Sequence, residues 1–317
     1  MIRIFPVAFL LAGACFTSSA AVDSGLLALA PSHSQTVAAV SVEGSRSSAF
    51  GQFLLRQLSV GDDHFQQMID ETGFDPRRDI QAMLIATAPP DAPKAQGRFA
   101  VIARGNFDAN RIKAAAQKKG FVVQRFSGVN LLIGTDSHQQ AAFAFPDVDL
   151  AVMGDIASVK QVIGNRANPA SLDPALQEQI AGVENNDAWF ASIAPPKSGL
   201  LPLDADGQDA AGQSRALQSV IRSSGGISFG PSANIAFNVV TRSAQDATAV
   251  ADVLRFLASM AQMQGGKDPR AASLAPALDS MKLDVAGSAV HVSLQVPEPV
   301  LEQIAHPGGK LAARSAR

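Results

Sequence analysis

The run Gly226-Ile227-Ser228-Phe229-Gly230 matches the Gly-x-Ser-x-Gly pattern of a nucleophile elbow. A serine hydroxyl hardly ionises at neutral pH, so a catalytic serine needs a histidine base nearby. His291 and His306 both follow Ser228 in the chain, which is the order that such a hydrolase requires. The sequence therefore allows a serine hydrolase that uses Ser228 and His291. The acids available to orient the base are Asp246, Asp252, Asp268, Asp279 and Asp284.

The context of the motif favours a different interpretation. An elbow needs an apolar strand before the serine and a helix directly after it. Here Arg222-Ser223-Ser224-Gly225 precedes the motif, and Pro231 and a strand pattern follow it. His291 alternates with two valines, which places it on the polar side of a strand. We therefore expect a glycine-rich turn leading into a strand, and a protein without enzymatic activity.

The pattern Asp62-Asp63-His64 contains three residue types that bind metals. Adjacent residues do not converge easily on one ion, and no further histidine or carboxylate cluster stands at a metal-site spacing. A helix cap followed by an acidic first turn explains the same residues. Phosphate-binding loops and dinucleotide fingerprints are also missing from the sequence. We predict neither a metal site nor a cofactor.

The first 20 residues have the organisation of a secretory signal peptide. Arg3 supplies the charge, Ile4 to Phe16 is an apolar run too short to span a bilayer, and Ser18-Ser19-Ala20 supplies small residues for cleavage. The sequence predicts export to the periplasm or beyond. The stretch before Cys15 also resembles a lipoprotein box, so a lipid on Cys15 is an alternative tether. Because Cys15 is the only cysteine, no internal disulfide can form.

The composition excludes some classes of partner. Lysine and arginine total 26 against 28 aspartates and glutamates, so the net charge gives no reason to expect nucleic acid or an anionic membrane. Tyrosine is absent and aromatics make up 6% of the chain, which disfavours a ring-stacking surface. With 47% hydrophobic residues the chain can bury a large core. The expected partner is an unknown protein or small molecule of the cell envelope.

The first part of the chain alternates strand and helix signals. Thr36 to Val42 reads as a strand whose Ala38, Val40 and Val42 share one side, and Ser47 or Ser48 can cap a following helix. Asp108 and Gly120 bound a helix, and Phe121 to Ile133 forms a hairpin about Ser127-Gly128. A strand from Val148 to Met153 and two helices capped near Asp155 and Pro174 come next.

A comparable order recurs later. We predict a strand at Trp189 to Ala194, a helix at Gln213 to Arg222, a strand at Ile235 to Val240, a long helix capped by Ser243, and a closing hairpin about Gly287-Ser288. The fold class is therefore α+β, with two similar layered halves, each a mainly antiparallel sheet covered by helices on one face. The predicted divisions are a signal peptide (1–20), a first half (21–145), a connecting strand and helices (146–186), a second half (187–304) and a flexible tail (305–317).

The run Glu71-Thr72-Gly73-Phe74-Asp75-Pro76-Arg77-Arg78-Asp79-Ile80 adds a resemblance. Together with the leader, the long helix, the closing hairpin and Pro297, it resembles uncharacterised exported bacterial proteins of unknown function. Within the run, Gly73 stops a helix, Phe74 packs back on it, and Asp75-Pro76 turns the chain into the next strand. The resemblance implies export and transfers no catalytic or binding residue. We expect a non-enzymatic module that binds its partner in the groove between the halves.

Overall fold

The computed structural model describes residues 24–46, 48, 52, 63–89, 97–134, 141–195, 216, 218–230, 232–264, 277–297 and 300. Several sequence predictions concern residues outside these ranges. They are the leader with Cys15, the helix after Ser47, and the tail with His306.

The helices and strands of the described residues alternate along the chain. The helices are α1 (Ser24–Leu29), α2 (Val42–Arg46), α3 (Asp63–Thr72), α4 (Pro76–Asp79), α5 (Ala109–Lys118), α6 (Ile156–Asn165), α7 (Pro174–Ala181) and α8 (Ala244–Gln264). The strands are β1 (Thr36–Ser41), β2 (Ile80–Ala88), β3 (Arg98–Gly105), β4 (Val122–Phe126), β5 (Val129–Ile133), β6 (Ala141–Asp147), β7 (Leu150–Asp155), β8 (Ala188–Ser192), β9 (Val220–Ser228), β10 (Ser232–Thr241), β11 (Lys282–Ala286) and β12 (Ala289–Pro297). None of the described helices is both long and apolar enough to cross a bilayer.

All the described strands belong to one sheet, in the order β11-β12-β10-β9-β8-β1-β2-β3-β7-β6-β5-β4. Every neighbouring pair is antiparallel. The α+β class and the mainly antiparallel sheet are confirmed. The two halves do not carry separate sheets, because β1 of the first half pairs with β8 of the second. At this seam the hydroxyls of Thr36 and Ser192 share a 2.7 Å hydrogen bond.

The two faces of the sheet are covered by different helices. Val37, Leu84 and Ile102 are fully buried in one core beneath α1, α6 and α7, and we call this side the α1 face. On the opposite side, Val290 and Val239 pack against Val250 of α8, and we call this the α8 face. Helices therefore lie on both faces of the sheet. The sequence predicted that helices would cover one face of each half; taken as a whole, the single sheet has helices on both faces.

The side of β1 that is buried differs from the predicted one. Val37 and Ala39 are buried on the α1 face, whereas Ala38 and Val40 are only half-buried on the α8 face. Val42, which set the predicted register, is the first residue of α2 rather than part of the strand. Both faces of a sheet covered on two sides are apolar, so alternation alone could not identify the inner face.

A row of apolar residues crosses the seam on the α8 face. Ile85, Ala38 and Phe190 are direct cross-strand neighbours in this row. The row continues to Gly225 and Phe237, whose phenyl ring lies 6.2 Å from that of Phe190. A Cβ on Gly225 would lie 2.5 Å from the Phe237 ring and 2.8 Å from the Phe190 ring. A residue without a side chain is needed there because two aromatic rings meet over its backbone.

The resemblance run Glu71 to Ile80 forms a hydrogen-bonded junction. Gly73, with a φ of 72°, follows the end of α3, and Asp75 caps α4 by accepting from the Arg77 N–H at 3.0 Å. Arg46 donates from its guanidinium to the carbonyls of Arg77, Arg78 and Ile80 at 2.7 to 3.0 Å. These bonds satisfy the carbonyls at the end of a short helix. They join α2 to the start of β2.

Asp79 gives this junction a pH dependence. Its carboxylate accepts from Arg78 at 2.8 Å and from the Asp75 N–H at 2.8 Å, and the Arg78 hydrogen bond holds the pKa of Asp79 below its ordinary value of 3.8. A lowered folded-state pKa adds stability that is present above pH 4 and is lost as the pH falls through the folded value. We expect Asp79→Asn to lower the free energy of unfolding at pH 7, and the difference from wild type to shrink towards pH 3.

Urea denaturation at pH 7, 5 and 3 measures this effect. Asp252→Asn is the control, because Asp252 is exposed and its ion pair among the described residues is with Arg255, one turn along α8, where such pairs contribute little. A difference between Asp79→Asn and wild type that is the same at every pH would contradict the prediction.

Two element predictions had the wrong bounds. Within the helix predicted over Gln213 to Arg222, Ala216 and Gln218 are helical, but the end of the range is strand, because β9 begins at Val220 and extends through Gly225 and Gly226 to Ser228. The strand predicted over Val148 to Met153 is shifted: Val148 is 90% exposed in the turn between β6 and β7. β7 pairs with β3, so it lies inside the first part of the sheet.

Candidate functional site

Ser228 is held in a structural contact. It is the last residue of β9, on the α1 face, and its Oγ donates to Asn186 Oδ1 at 2.8 Å. The amide of Asn186 lies against Gly226, where an added Cβ would overlap it, and the Phe229 N–H donates to Asp187 Oδ2 at 2.6 Å. The motif therefore fastens the end of β9 to the loop before β8. The predicted glycine-rich turn is instead a strand that ends at Ser228.

His291 lies too far from Ser228 to act as its base. Ser228 pairs with Asn234 of β10, whereas His291 of β12 pairs with Asn238, four residues further along β10. Strand geometry separates the two residues by about 14 Å along the strands and about 10 Å across them. Proton transfer needs a heavy-atom distance of about 3 Å. The structure does not bring the two hydrolase candidates together.

The candidate acids are also dispersed. Asp246 accepts from Ser243 in the cap of α8, Asp252 pairs with Arg255, and Asp279 accepts from Gln262. Asp268 lies outside the described residues. Of the candidate acids that the structure describes, only Asp284 is next to His291, directly opposite it on β11.

The other chemistry-bearing residues also lie apart. Asp147 pairs with Arg166 at 2.7 Å, and Asp149 pairs with Arg104 at 2.6 Å. His33 lies between α1 and β1 and has contacts within the fold. His64 is in the first turn of α3. Within the described ranges, no three histidine, cysteine, aspartate or glutamate side chains converge on a possible metal position.

Four polar residues form a row on the α1 face of the second half. Ser224, Asn238, His291 and Asp284 are successive cross-strand neighbours on β9, β10, β12 and β11. Side chains at directly opposed positions project from the same face of a sheet. Val37 and Ala191 are the next cross-strand neighbours of this row, on β1 and β8. The side chains on this face therefore change from apolar to polar between Ala191 and Ser224.

A groove of about 310 Å³ lies over this row. Its other lining residues include Val183, which follows α7 in the connecting segment, and Ala236 and Ser293 of the second half. The groove thus lies where the connecting helices meet the second half. Its volume is at the lower end of the range for small-molecule sites.

The inner end of the groove contains polar atoms with few partners. Ser224 is 3% exposed, and its Oγ donates to Gln179 Oε1 of α7 over a long 3.3 Å. Asn238 Oδ1 is buried and has no hydrogen-bond partner in the described part of the chain. A buried carbonyl without a donor costs about 1–3 kcal/mol. His291, Asp284 and Ser293 are exposed at the outer end.

The sequence predicted His291 as a candidate base and Asp284 as one of five candidate acids, but it did not predict that Ser224 and Asn238 would join them. Each neighbour of His291 stands alone between apolar residues in its strand: Asn238 between Phe237 and Val239, and Asp284 between Leu283 and Val285. The predicted turn at Gly287-Ser288 already places Asp284 opposite His291, because residues equally distant from a two-residue turn pair. Asn238 and Ser224 join the row only through the pairing of β10 with β9 and β12.

No protein-family model matches the sequence, and no curated protein matches it. Two solved structures of TP0453 share its architecture. Crystal form III gives a TM-score of 0.51 at 8% identity, covering 88% of this chain and 97% of that one. Crystal form I gives 0.50 at 9% identity, covering 90% and 100%. At such low identity the likeness concerns the fold alone: this chain has the α+β fold seen in TP0453.

Proposed function

We propose that this chain is an exported, non-enzymatic binding protein of the cell envelope that takes a small polar ligand in the groove over Ser224, Asn238, His291 and Asp284. One observation carries the proposal. The groove has a buried carbonyl without a donor, at Asn238, beside a hydroxyl that is 3% exposed, at Ser224. A ligand that supplies the missing hydrogen bond would recover the free energy that the unpaired carbonyl costs.

Export remains part of the proposal on the basis of the leader. Met1 to Ala20 has the charge, apolar run and small residues of a signal peptide, and Cys15 offers the alternative of a lipid tether. Mass spectrometry of the mature N-terminus separates the two. A product that begins near Ala21 supports cleavage, a lipidated Cys15 supports the tether, and a retained leader would overturn export.

The two-halves organisation is also proposed. The order strand, strand, helix, hairpin occurs as β2-β3-α5-β4-β5 and again as β9-β10-α8-β11-β12. Phe121, just after α5, contacts Phe143, which pairs with Met153 on the α8 face. Both helices of the repeated order therefore belong to the same side of the sheet. In this interpretation β6, β7, α6 and α7 are an insertion, and α7 closes one end of the groove.

The binding proposal is tested with a groove-filling variant. Ser293→Phe places a ring in the groove, whereas Gln295→Phe places the same ring two residues further along the same face of β12, outside the lining. We expect at least one of putrescine, butane-1,4-diol, succinate and glucose to shift the backbone amide signals of Ser224, Asn238 and His291 saturably. Gln295→Phe should keep this response and Ser293→Phe should lose it.

Two results would oppose the proposal. One is that none of the four probes shifts those amides in the wild-type protein. The other is labelling of the folded protein by a fluorophosphonate probe that disappears in Ser228→Ala, which would support the hydrolase. The hydrogen bond from Ser228 to Asn186 and its distance from His291 lead us to expect no labelling.

A further inference from the structure

The geometry points to a small organic ammonium ion as the ligand class of this groove, an inference that rests on the proposed function. The described lining residues include one carboxylate, Asp284, and no lysine or arginine. They also include a carbonyl without a donor, at Asn238. A group that offers several N–H donors and a positive charge matches both.

The hydroxyl at the inner end supports the same class. Ser224 Oγ gives its only proton to Gln179 Oε1, so what it can offer a ligand is an oxygen lone pair. Asn238 Oδ1 and the Asp284 carboxylate are acceptors as well. A ligand built only of acceptors would leave all three unsatisfied. An anion would also meet the charge of Asp284 with no lysine or arginine in the described lining to offset it.

Cations near the groove do not neutralise Asp284. Arg222, also on the α1 face, is paired with Glu178 of α7 at 3.1 Å. Lys282 does not line the groove: it lies two residues before Asp284 and is the cross-strand neighbour of the lining residue Ser293. Among the described residues, Asp284 forms no ion pair with a lysine, an arginine or its cross-strand neighbour His291. The carboxylate is therefore free to receive a ligand cation.

The main chain of Ser224, Asn238 and His291 supplies no N–H donors that could bind an anion in the groove. Ser224, Asn238 and His291 lie in the interior of paired strands, where main-chain N–H groups are directed along the ladder rather than out of the sheet. Val183 and Ala236 add apolar surface between the inner and outer polar groups. A short alkyl chain that carries ammonium groups would contact both kinds of surface.

Three four-carbon probes of matched length test the class by calorimetric and amide-shift titration. Putrescine carries ammonium groups, butane-1,4-diol carries hydroxyls and succinate carries carboxylates. We expect putrescine to bind most tightly. We expect Asp284→Asn to weaken putrescine binding about tenfold, because the ammonium group loses the charged partner of its hydrogen bond. Asp279→Asn is the matched control, because Asp279 precedes β11, contacts Gln262 and does not line the groove.

The outcomes separate this inference from the proposed function. If the diol or succinate shifts the groove amides as strongly as putrescine, the ammonium class is wrong while groove binding stands. If putrescine binds equally well to Asp284→Asn or Ser293→Phe, it binds elsewhere and the inference fails. If none of the four panel probes shifts the groove amides of the wild-type protein, the proposed function itself fails.

Discussion

Replacing Gly154 with alanine is expected to lower the free energy of unfolding by about 3 kcal/mol, at the upper end of the cost of overpacking. A Cβ at Gly154 of β7 would overlap the Phe99 carbonyl of β3 and lie 3.1 Å from the Ala100 Cα. The obstructing atoms belong to the backbone of a central strand. Phe99 cannot retreat cheaply, because its N–H donates to Asp155 Oδ2 at 2.9 Å.

Gly164→Ala is the matched control for this prediction. Gly164 lies in α6, nine residues after the end of β7, and a Cβ there would meet nothing within 4 Å. Alanine is favoured over glycine in a helix by about 1 kcal/mol, so this variant should be as stable as wild type or more stable. Urea denaturation at pH 7 measures both. A Gly154→Ala protein as stable as Gly164→Ala would show that β3 and β7 do not approach as closely as described.

Leu84→Ala is expected to cost about 2–5 kcal/mol, the usual range for deleting a fully buried leucine. Leu84 of β2 is 0% exposed and lies in the core beneath α1, α6 and α7. The substitution removes apolar contacts and leaves a cavity in a region where helices and sheet are already packed. The measurement is the midpoint of urea denaturation, with an unchanged slope as evidence that the native fold is kept.

The next residue of the same strand supplies the control. Ile85 projects to the α8 face and is 36% exposed. Ile85→Ala should therefore cost clearly less than Leu84→Ala, about 1 kcal/mol, because part of the side chain is already in water. Equal losses for the two variants would mean that both faces of β2 are equally covered, contrary to the described burial.

Local signals predicted a large part of the fold. Asp108 and Asp155 each cap a helix, accepting from Arg111 N–H at 3.0 Å and from Ser158 N–H at 2.9 Å. Ser127 and Gly128 have φ values of 45° and 81° in the predicted hairpin turn. Such features depend on residues within four positions of one another, so the sequence displays them directly.

Features that depend on distant residues were not predictable in this way. Val220 and Ile221 have β-branched side chains, yet the sequence was read as a helix there, because the pairing of β9 with β8 and β10 cannot be seen locally. β6 was not predicted at all. The joining of both halves into one sheet depends on β1 and β8, which are far apart in the sequence.

The candidate site also contains residues that local signals could place and residues that they could not. Asp284 and His291 face each other across a two-residue turn that the sequence predicted. Ser224 and Asn238 reach the same row through the pairing of β9 with β10, and the sequence predicted a strand only for β10. The motif at Ser228 matches the pattern of a nucleophile elbow, but in the structure its serine forms a hydrogen bond that holds the end of a strand.

The pairing of β1 with β8 also cannot form until the ribosome has synthesised the chain through residue 192. The Thr36 and Ser192 hydroxyls that meet at the seam are 156 residues apart. While a nascent chain still lacks β8, one edge of β1 has unpaired N–H and C=O groups, the kind of edge on which another chain can add a strand. Contacts between such distant residues also form slowly. A chain interrupted before residue 188 would thus expose the middle of its own sheet, and a holdase that covers this edge would protect it until translation is complete.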